Sequence, residues 1–396
     1  MVTVDASSFL VIVAVAALAA IVAGAIASRL VLPVVVLEVL LGIVIGPDVL
    51  GWAEPDEFIE FFANLGLGML FFFAGYEIDF ERIRGAPLRL AALGWLISLA
   101  LAYSLGGLLA LAGVVLSLLF TGSALATTAI GTLIPILGDA GELRTRFGTY
   151  MLAAGAVGEF GPILLITLLF STKGALSNAL ILLAFTGLAV ATAMIAVRGA
   201  GPGWKLIERN LETSGQLGIR IVVVLVFALV TLAAELGLEL LLGGFVSGVI
   251  TRLALRGREV SALESKLTAV GYGFFIPFFF IVSGIKFETS ALVEDPIRLL
   301  ELPLFLALFL VVRGVPAMLL YRRVLARTDR TALAVLSATE LPLVVAITTL
   351  AVEQGHMRAS TAASLVGAAM LSTAIYPLIG LRLRREGALR EAEPAM

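Results

Sequence analysis

The sequence predicts an all-α membrane protein of about thirteen transmembrane helices, built as two inverted six-helix repeats with crossed discontinuous helices. Three observations lead there. The chain is apolar with little charge, its basic residues alternate between the gaps of the apolar stretches, and three motifs recur in order further along the chain.

Of 396 residues, 60% are apolar and 14% charged, and the mean hydropathy is +1.08. A water-soluble domain carries about a quarter charged residues, so most of the outer surface here faces lipid. The 40 glycines suit close helix approach in a membrane. The lack of cysteine excludes a disulfide framework and thiolate metal sites, and the single histidine, His356, excludes multi-histidine metal centres. No cofactor is expected. The chain opens MVTVDASS and its first basic residue, Arg29, follows the first apolar stretch, so that stretch reads as a retained span and not a cleaved signal.

Apolar stretches of roughly 17–25 residues are candidate spans. They run over 9–29, 32–47, 61–78, 87–109, 113–137, 147–171, 178–198, 217–235, 237–255, 268–286, 299–321, 331–353 and 361–382. With the N-terminus outside, 22 of the 27 Lys and Arg fall in gaps facing the cytoplasm, within a few residues of such a span end, or in the cytoplasmic C-terminal tail. Lys173, Lys286, Arg298 and Arg358 fall outside, and Arg313 lies within a span. That bias is the positive-inside rule, and a wrong span count would scramble it. The expected location is the cell (inner) membrane, crossed many times, with the C-terminus in the cytoplasm. Gaps are too short for a soluble domain, and the Gly-x-Gly at Gly66 and Gly68 lies inside an apolar stretch, so it reads as packing and not as a nucleotide loop.

LEVLLG from Leu37 recurs as LELLLG from Leu238. LGLGMLFFFAGYEIDF from Leu65 recurs as VGYGFFIPFFFIVSGIKF from Val270. TGSALATTAIG, around Thr127 and Thr128, pairs with LSATELPLV, around Thr339 and Glu340. Each pair is seven spans apart, so the two copies cross the membrane in opposite directions. Inverted repeats of this kind build secondary transporters, with the site at broken helices near mid-membrane.

Ionisable groups within spans are costly and line polar paths. Glu159 sits in the middle of span six, flanked by Gly155, Gly158 and Gly161, where a proton and a bare cation would compete for one carboxylate. Arg313, mid-way along span eleven, stays charged and suits a counter-charge for a carboxylate or for a helix C-terminus. Glu340 precedes Pro342, which breaks span twelve, and is read as a partner of Arg313 or of broken-helix backbone, with a second proton site as the alternative. Glu38 and Glu239, near span ends, read as interface or capping residues, Glu77 and Asp79 as solvated charge, and His356 as a loop residue.

The stretches LPVVVLEVLLGIVIGP, LGLGMLFFFAGYEID, SALATTAIGTLIPILGDAGELRTRFG and FFIPFFFIVSGIKF resemble bacterial monovalent cation/proton antiporters of the Kef and NapA type, over about residues 10–382. The resemblance implies a sodium/proton antiporter-like fold and a homodimer whose core moves against a fixed scaffold. It implies scaffold and dimer parts at 1–82 and 217–290, core ion-binding parts at 83–172 and 291–384, a linker helix and loop at 173–216, and a tail at 385–396. Glu159 falls where the family keeps its ion-binding aspartate, and Gly158 where it has Asn or Asp. Thr127 and Thr128 match the unwound stretch of the first broken helix. Glu340 matches a glutamate of the second, and Arg313 the basic residue of the adjoining helix. The expected function is exchange of Na⁺ or K⁺ for H⁺ at Glu159, with no enzymatic activity. A proton- or sodium-coupled organic solute transporter, and a channel or sensor, are the competing expectations.

Overall fold

The structure, a computed structural model, describes residues 5–26, 33–78, 80–169, 175–210, 213–236, 238, 240–255, 260–287 and 298–392. Glu239, Asp79, Arg29, Lys173, Arg256 and Arg258 lie outside the described residues. Every regular element described is helical: α1 Ala6–Ile26, α2 Val34–Ile45, α3 Glu57–Glu77, α4 Phe80–Ile83, α5 Ala86–Leu111, α6 Leu118–Leu125, α7 Ile130–Asp139, α8 Arg146–Leu169 and α9 Ala175–Asn210. There follow α10 Leu217–Glu235, α11 Leu240–Leu255, α12 Ser261–Val270, α13 Ile276–Ile285, α14 Glu301–Leu320, α15 Arg327–Ser337, α16 Pro342–Glu353 and α17 Ala359–Ala392. Among the described residues, eight helical stretches are long and apolar enough to cross a membrane, and four shorter apolar helices accompany them.

Contacts divide the chain into two units. The first comprises 1–17, 52–78 and 163–285. Its α3 is started by Asp56, whose carboxylate accepts the Ile59 N–H at 2.7 Å, with Glu57 and Glu60 in the first turn. Both devices satisfy or complement the positive helix end. α3 lies directly against α11. A Cβ on Gly244 would stand 2.5 Å from the Gly68 carbonyl oxygen, and one on Gly248 would stand 2.6 Å from the Tyr76 nitrogen. Small residues here let the two backbones touch, as membrane helix packing requires. Gly66 likewise faces the Phe275 carbonyl, so the Gly-x-Gly is packing. At the end of α3 the Tyr76 hydroxyl donates to Glu264 Oε1 at 2.6 Å.

The second unit comprises 18–51, 79–162 and 286–396. α5 packs on α6 and α14, and α15 packs on α14 and α17. Leu133, Leu137, Phe147, Met151, Leu333 and Leu336 share one buried apolar cluster. Two helical stretches are interrupted in this unit, at 126–129 between α6 and α7 and at 338–341 between α15 and α16. The reasons are local. Ala126-Thr127-Thr128-Ala129 carries β-branched hydroxyl residues that bond to nearby backbone instead of continuing the helix. Pro342 takes the first position of α16, where a missing N–H costs nothing. Glu38 is not a helix cap: it lies inside α2 and is 3% exposed. His356 is exposed and its ring stacks on Phe120, centroids 5.3 Å apart.

Candidate ion-binding site

The two interruptions meet. The Ala129 N–H donates to the Thr339 carbonyl at 2.8 Å, joining backbone groups that neither helix can satisfy. All six sequence-predicted residues gather in this second unit, on α8, α14 and the two interruptions: Gly158 and Glu159, Arg313, Thr127 and Thr128, and Glu340. The five that carry side-chain polar groups are at most 5% exposed.

Arg313 holds the crossing from one side. Three residues after it, Pro316 lacks the N–H that would bond the Val312 carbonyl. Ser98 Oγ of α5 donates to that carbonyl at 2.9 Å. The same hydroxyl accepts from Arg313 Nη1 at 3.2 Å, while Nη2 donates to the Ala154 carbonyl at 3.2 Å. Nε donates to Thr128 Oγ1 at 2.9 Å and, more loosely, to the Ser337 carbonyl at 3.4 Å. Ser337 is the last residue of α15, so the guanidinium sits at a negative helix end. Each of these acceptors is neutral. A cavity of about 20 Å³ opens beside the guanidinium, lined by Trp95, Ser98, Ala154, Tyr321 and Ser337, room for about one water.

Glu340 is held from the other side. Thr127 Oγ1 donates to its Oε2 at 2.5 Å. Its N–H donates to Ser372 Oγ at 2.9 Å, and the hydroxyls of Ser372 and Thr373 stand 3.1 Å from its carbonyl. The expected partnership of Glu340 with Arg313 takes a different form from a direct ion pair. Consecutive threonines stand between them: Thr127 donates to the Glu340 carboxyl group and Thr128 accepts from the guanidinium.

Glu159 lies on α8 and is 3% exposed. The backbone at the start of α7, at Ile130 and Gly131, lies close to its carboxylate, and the Ile130 N–H donates to the Thr128 carbonyl at 3.0 Å. A helix N-terminus favours a negative group through its dipole. The carboxylate oxygen Oε2 is buried with no hydrogen-bond partner among the described residues. A buried carboxylate oxygen left open is a ligand for a proton or a hard monovalent cation, which prefers oxygen donors. Among the described residues no group of His, Cys, Asp and Glu could hold a resident metal ion.

Several contributors were not singled out from sequence: Ser98, Ser337, Ser372, Thr373, Pro162 and Pro316. Their common signal is a hydroxyl or a proline within an apolar span, since hydroxyls glue membrane helices and prolines free carbonyls.

A family profile described as sodium/hydrogen exchanger, transmembrane, matches residues 13–381. A Bacillus subtilis protein named for Na⁺/H⁺ antiport, YjbQ, is 26% identical over 388 residues, covering 92% of this chain. This chain spans 61% of that relative's length. The Na⁺/H⁺-K⁺ antiporter GerN of Bacillus cereus is 26% identical over 277 residues, covering 67% of this chain and 68% of its own. The solved sodium proton antiporter MjNhaP1 from Methanocaldococcus jannaschii superposes with a TM-score of 0.60 over 96% of each chain, at 18% identity, a likeness of fold. With the profile covering nearly the whole length, and two interrupted helices meeting beside a buried carboxylate, the chain belongs to the transmembrane sodium/hydrogen exchanger family.

Proposed function

We propose that this protein is a bacterial inner-membrane antiporter exchanging a monovalent cation, Na⁺ or K⁺, for H⁺. The observation that carries the reading is Glu159: a buried carboxylate beside the N-terminus of α7, its Oε2 without a hydrogen-bond partner among the described residues. Such a group holds a proton or a dehydrated cation, and one excludes the other. Its relatives are named for Na⁺/H⁺ exchange, and one of them for K⁺ as well.

Arg313 supplies a positive charge that does not titrate, so a single exchanging carboxylate favours one cation per proton. The sequence motifs that repeat in opposite orientation, and an interruption in each copy, support a pair of inverted repeats around the site. On this reading the core, 83–172 with 291–384, moves the site across a scaffold of 1–82 and 217–290 in a homodimer. The N-terminus lies outside and the C-terminus in the cytoplasm, as the basic residues favour.

The test is proton movement in proteoliposomes containing a pH dye, driven by added Na⁺, K⁺ or Li⁺. The reading expects a cation-driven pH change that Glu159→Gln abolishes. Flux that needs an organic solute and ignores Na⁺ and K⁺ would replace it with the solute-transporter reading.

A further inference from the structure

Three contacts converge on bare backbone one residue before Glu159. A Cβ added to Gly158 would collide with Nη2 of Arg313, and would stand 2.8 Å from Thr128 Oγ1 and 2.9 Å from Thr128 Cβ. Separations under 3.0 Å are essentially never found for real Cβ atoms, so the guanidinium and the threonine occupy the space of a side chain at this position. The Gly158 carbonyl then accepts the Thr128 N–H at 3.1 Å.

That carbonyl is free for a stated reason. In an α-helix it would accept the N–H of the residue four further on. That residue is Pro162, inside α8, which has no N–H to give. A glycine and a proline four apart therefore make a socket in α8: the missing side chain admits Arg313 and Thr128, and the missing N–H leaves a carbonyl to seat the Thr128 backbone.

We infer that Gly158 and Pro162 are positioning residues for the Glu159 site. The Thr128 carbonyl in turn accepts the Ile130 N–H at 3.0 Å, so the seated threonine anchors the start of α7 beside the Glu159 carboxylate. Seating Thr128 therefore fixes where the N-terminus of α7 points. Filling the socket moves that helix end relative to Glu159 and weakens cation binding there. The inference rests on Glu159 being the exchanging group. A glycine kept for helix packing and a proline kept for a kink would have no such consequence.

The experiment uses the full-length protein, with melting temperature read in detergent and Na⁺-driven proton movement read in proteoliposomes. Pro162→Ala restores the competing N–H and removes a helix-interior proline. Its melting temperature is expected to match or exceed wild type, while the Na⁺ concentration for half-maximal exchange rises about 3- to 10-fold, the equivalent of one weakened hydrogen bond. Gly158→Ala is expected to lose more than about tenfold in exchange and to melt earlier, and both losses are expected to shrink in an Arg313→Lys background, which lacks Nη2. An unchanged Na⁺ dependence in Pro162→Ala overturns the inference. Equal melting losses from Gly158→Ala in the two backgrounds overturn it as well. Wild-type protein without cation-driven flux would instead remove the carrier reading, and the melting cycle between Gly158 and Arg313 would still judge the socket.

Discussion

Arg313 donates through Nε to the hydroxyl of Thr128 at 2.9 Å, and that contact joins α14 to the first helix interruption. The guanidinium also reaches α5 through Ser98 and α8 through the Ala154 carbonyl, so one side chain ties together four segments around the site. Removing it leaves several buried acceptors open at once. Arg313→Leu is therefore expected to destabilise the protein by about 1.5–3 kcal/mol or more, as loss of hydrogen bonds to a charged group does. Arg313→Lys keeps the charge and loses the fork, and is expected to fall between the two. Melting of the purified variants checks the order.

Thr127 gives Glu340 its side-chain donor at 2.5 Å. Thr127→Val leaves the shape and removes the hydroxyl, with an expected loss of about 1–3 kcal/mol for a buried acceptor left unsatisfied. Thr127→Ser is expected to restore most of it. If valine and serine variants melt together, the hydroxyl contact contributes nothing to stability.

Away from the site, Arg384 of α17 makes a bidentate pair with Glu142, at 3.1 and 3.0 Å, bonds Asp329 through Nη1, and lies over the Phe147 ring with 4.5 Å to its centroid. Glu142 follows α7 and Asp329 opens α15, so this clip holds the far ends of two half-helices whose near ends form the crossing. Arg384→Ala is expected to cost about 1.5–3 kcal/mol, as hydrogen bonds to charged groups do. Arg384→Lys is expected to recover little, because an ammonium cannot match the fork. Chemical denaturation of the two variants distinguishes charge from geometry.

The N-terminal tie of the first unit gives a pH-dependent prediction. Hydroxyl bonds from Ser7 and Ser8 hold the Asp5 carboxyl down from 3.8 to about 2. Asp56 is also lowered, by the Asp5 N–H at 2.7 Å and by Ile59. A carboxyl depressed in the folded state stabilises it above the unfolded value and loses that effect as pH falls through the folded one. Hydrogen exchange at the amides of Asp5, Ser8 and Ile59 is thus expected to gain protection-losing openings as pH drops from about 4 toward 2. Asp5→Asn is expected to remove the step at Ser8.

The positions of both interruptions were legible from residue type: the adjacent hydroxyls of Thr127 and Thr128, and Glu340 ahead of Pro342. Arg313 at the α15 C-terminus was legible too, because a fixed charge mid-span needs either a carboxylate or a helix end. What no single span reveals is how the contacts are shared. Adjacent threonines serve Glu340 and Arg313 separately, which depends on the backbone leaving helical conformation between them. Pro162 and Pro316 each free a carbonyl four residues back, but only packing decides that Thr128 and Ser98 are the groups that arrive. Gly158 reads as missing polarity until the Arg313 guanidinium is seen in its place.

The central claim is that the Glu159 carboxylate carries proton and cation in turn. The most direct measurement is Na⁺-driven proton movement in proteoliposomes across pH, comparing wild type with Glu159→Gln and Glu159→Asp. The account predicts no exchange in the glutamine variant, which cannot ionise, and retained exchange with altered cation preference in the aspartate variant, which keeps the carboxylate one methylene shorter. Exchange by Glu159→Gln at the wild-type rate and pH dependence would contradict it.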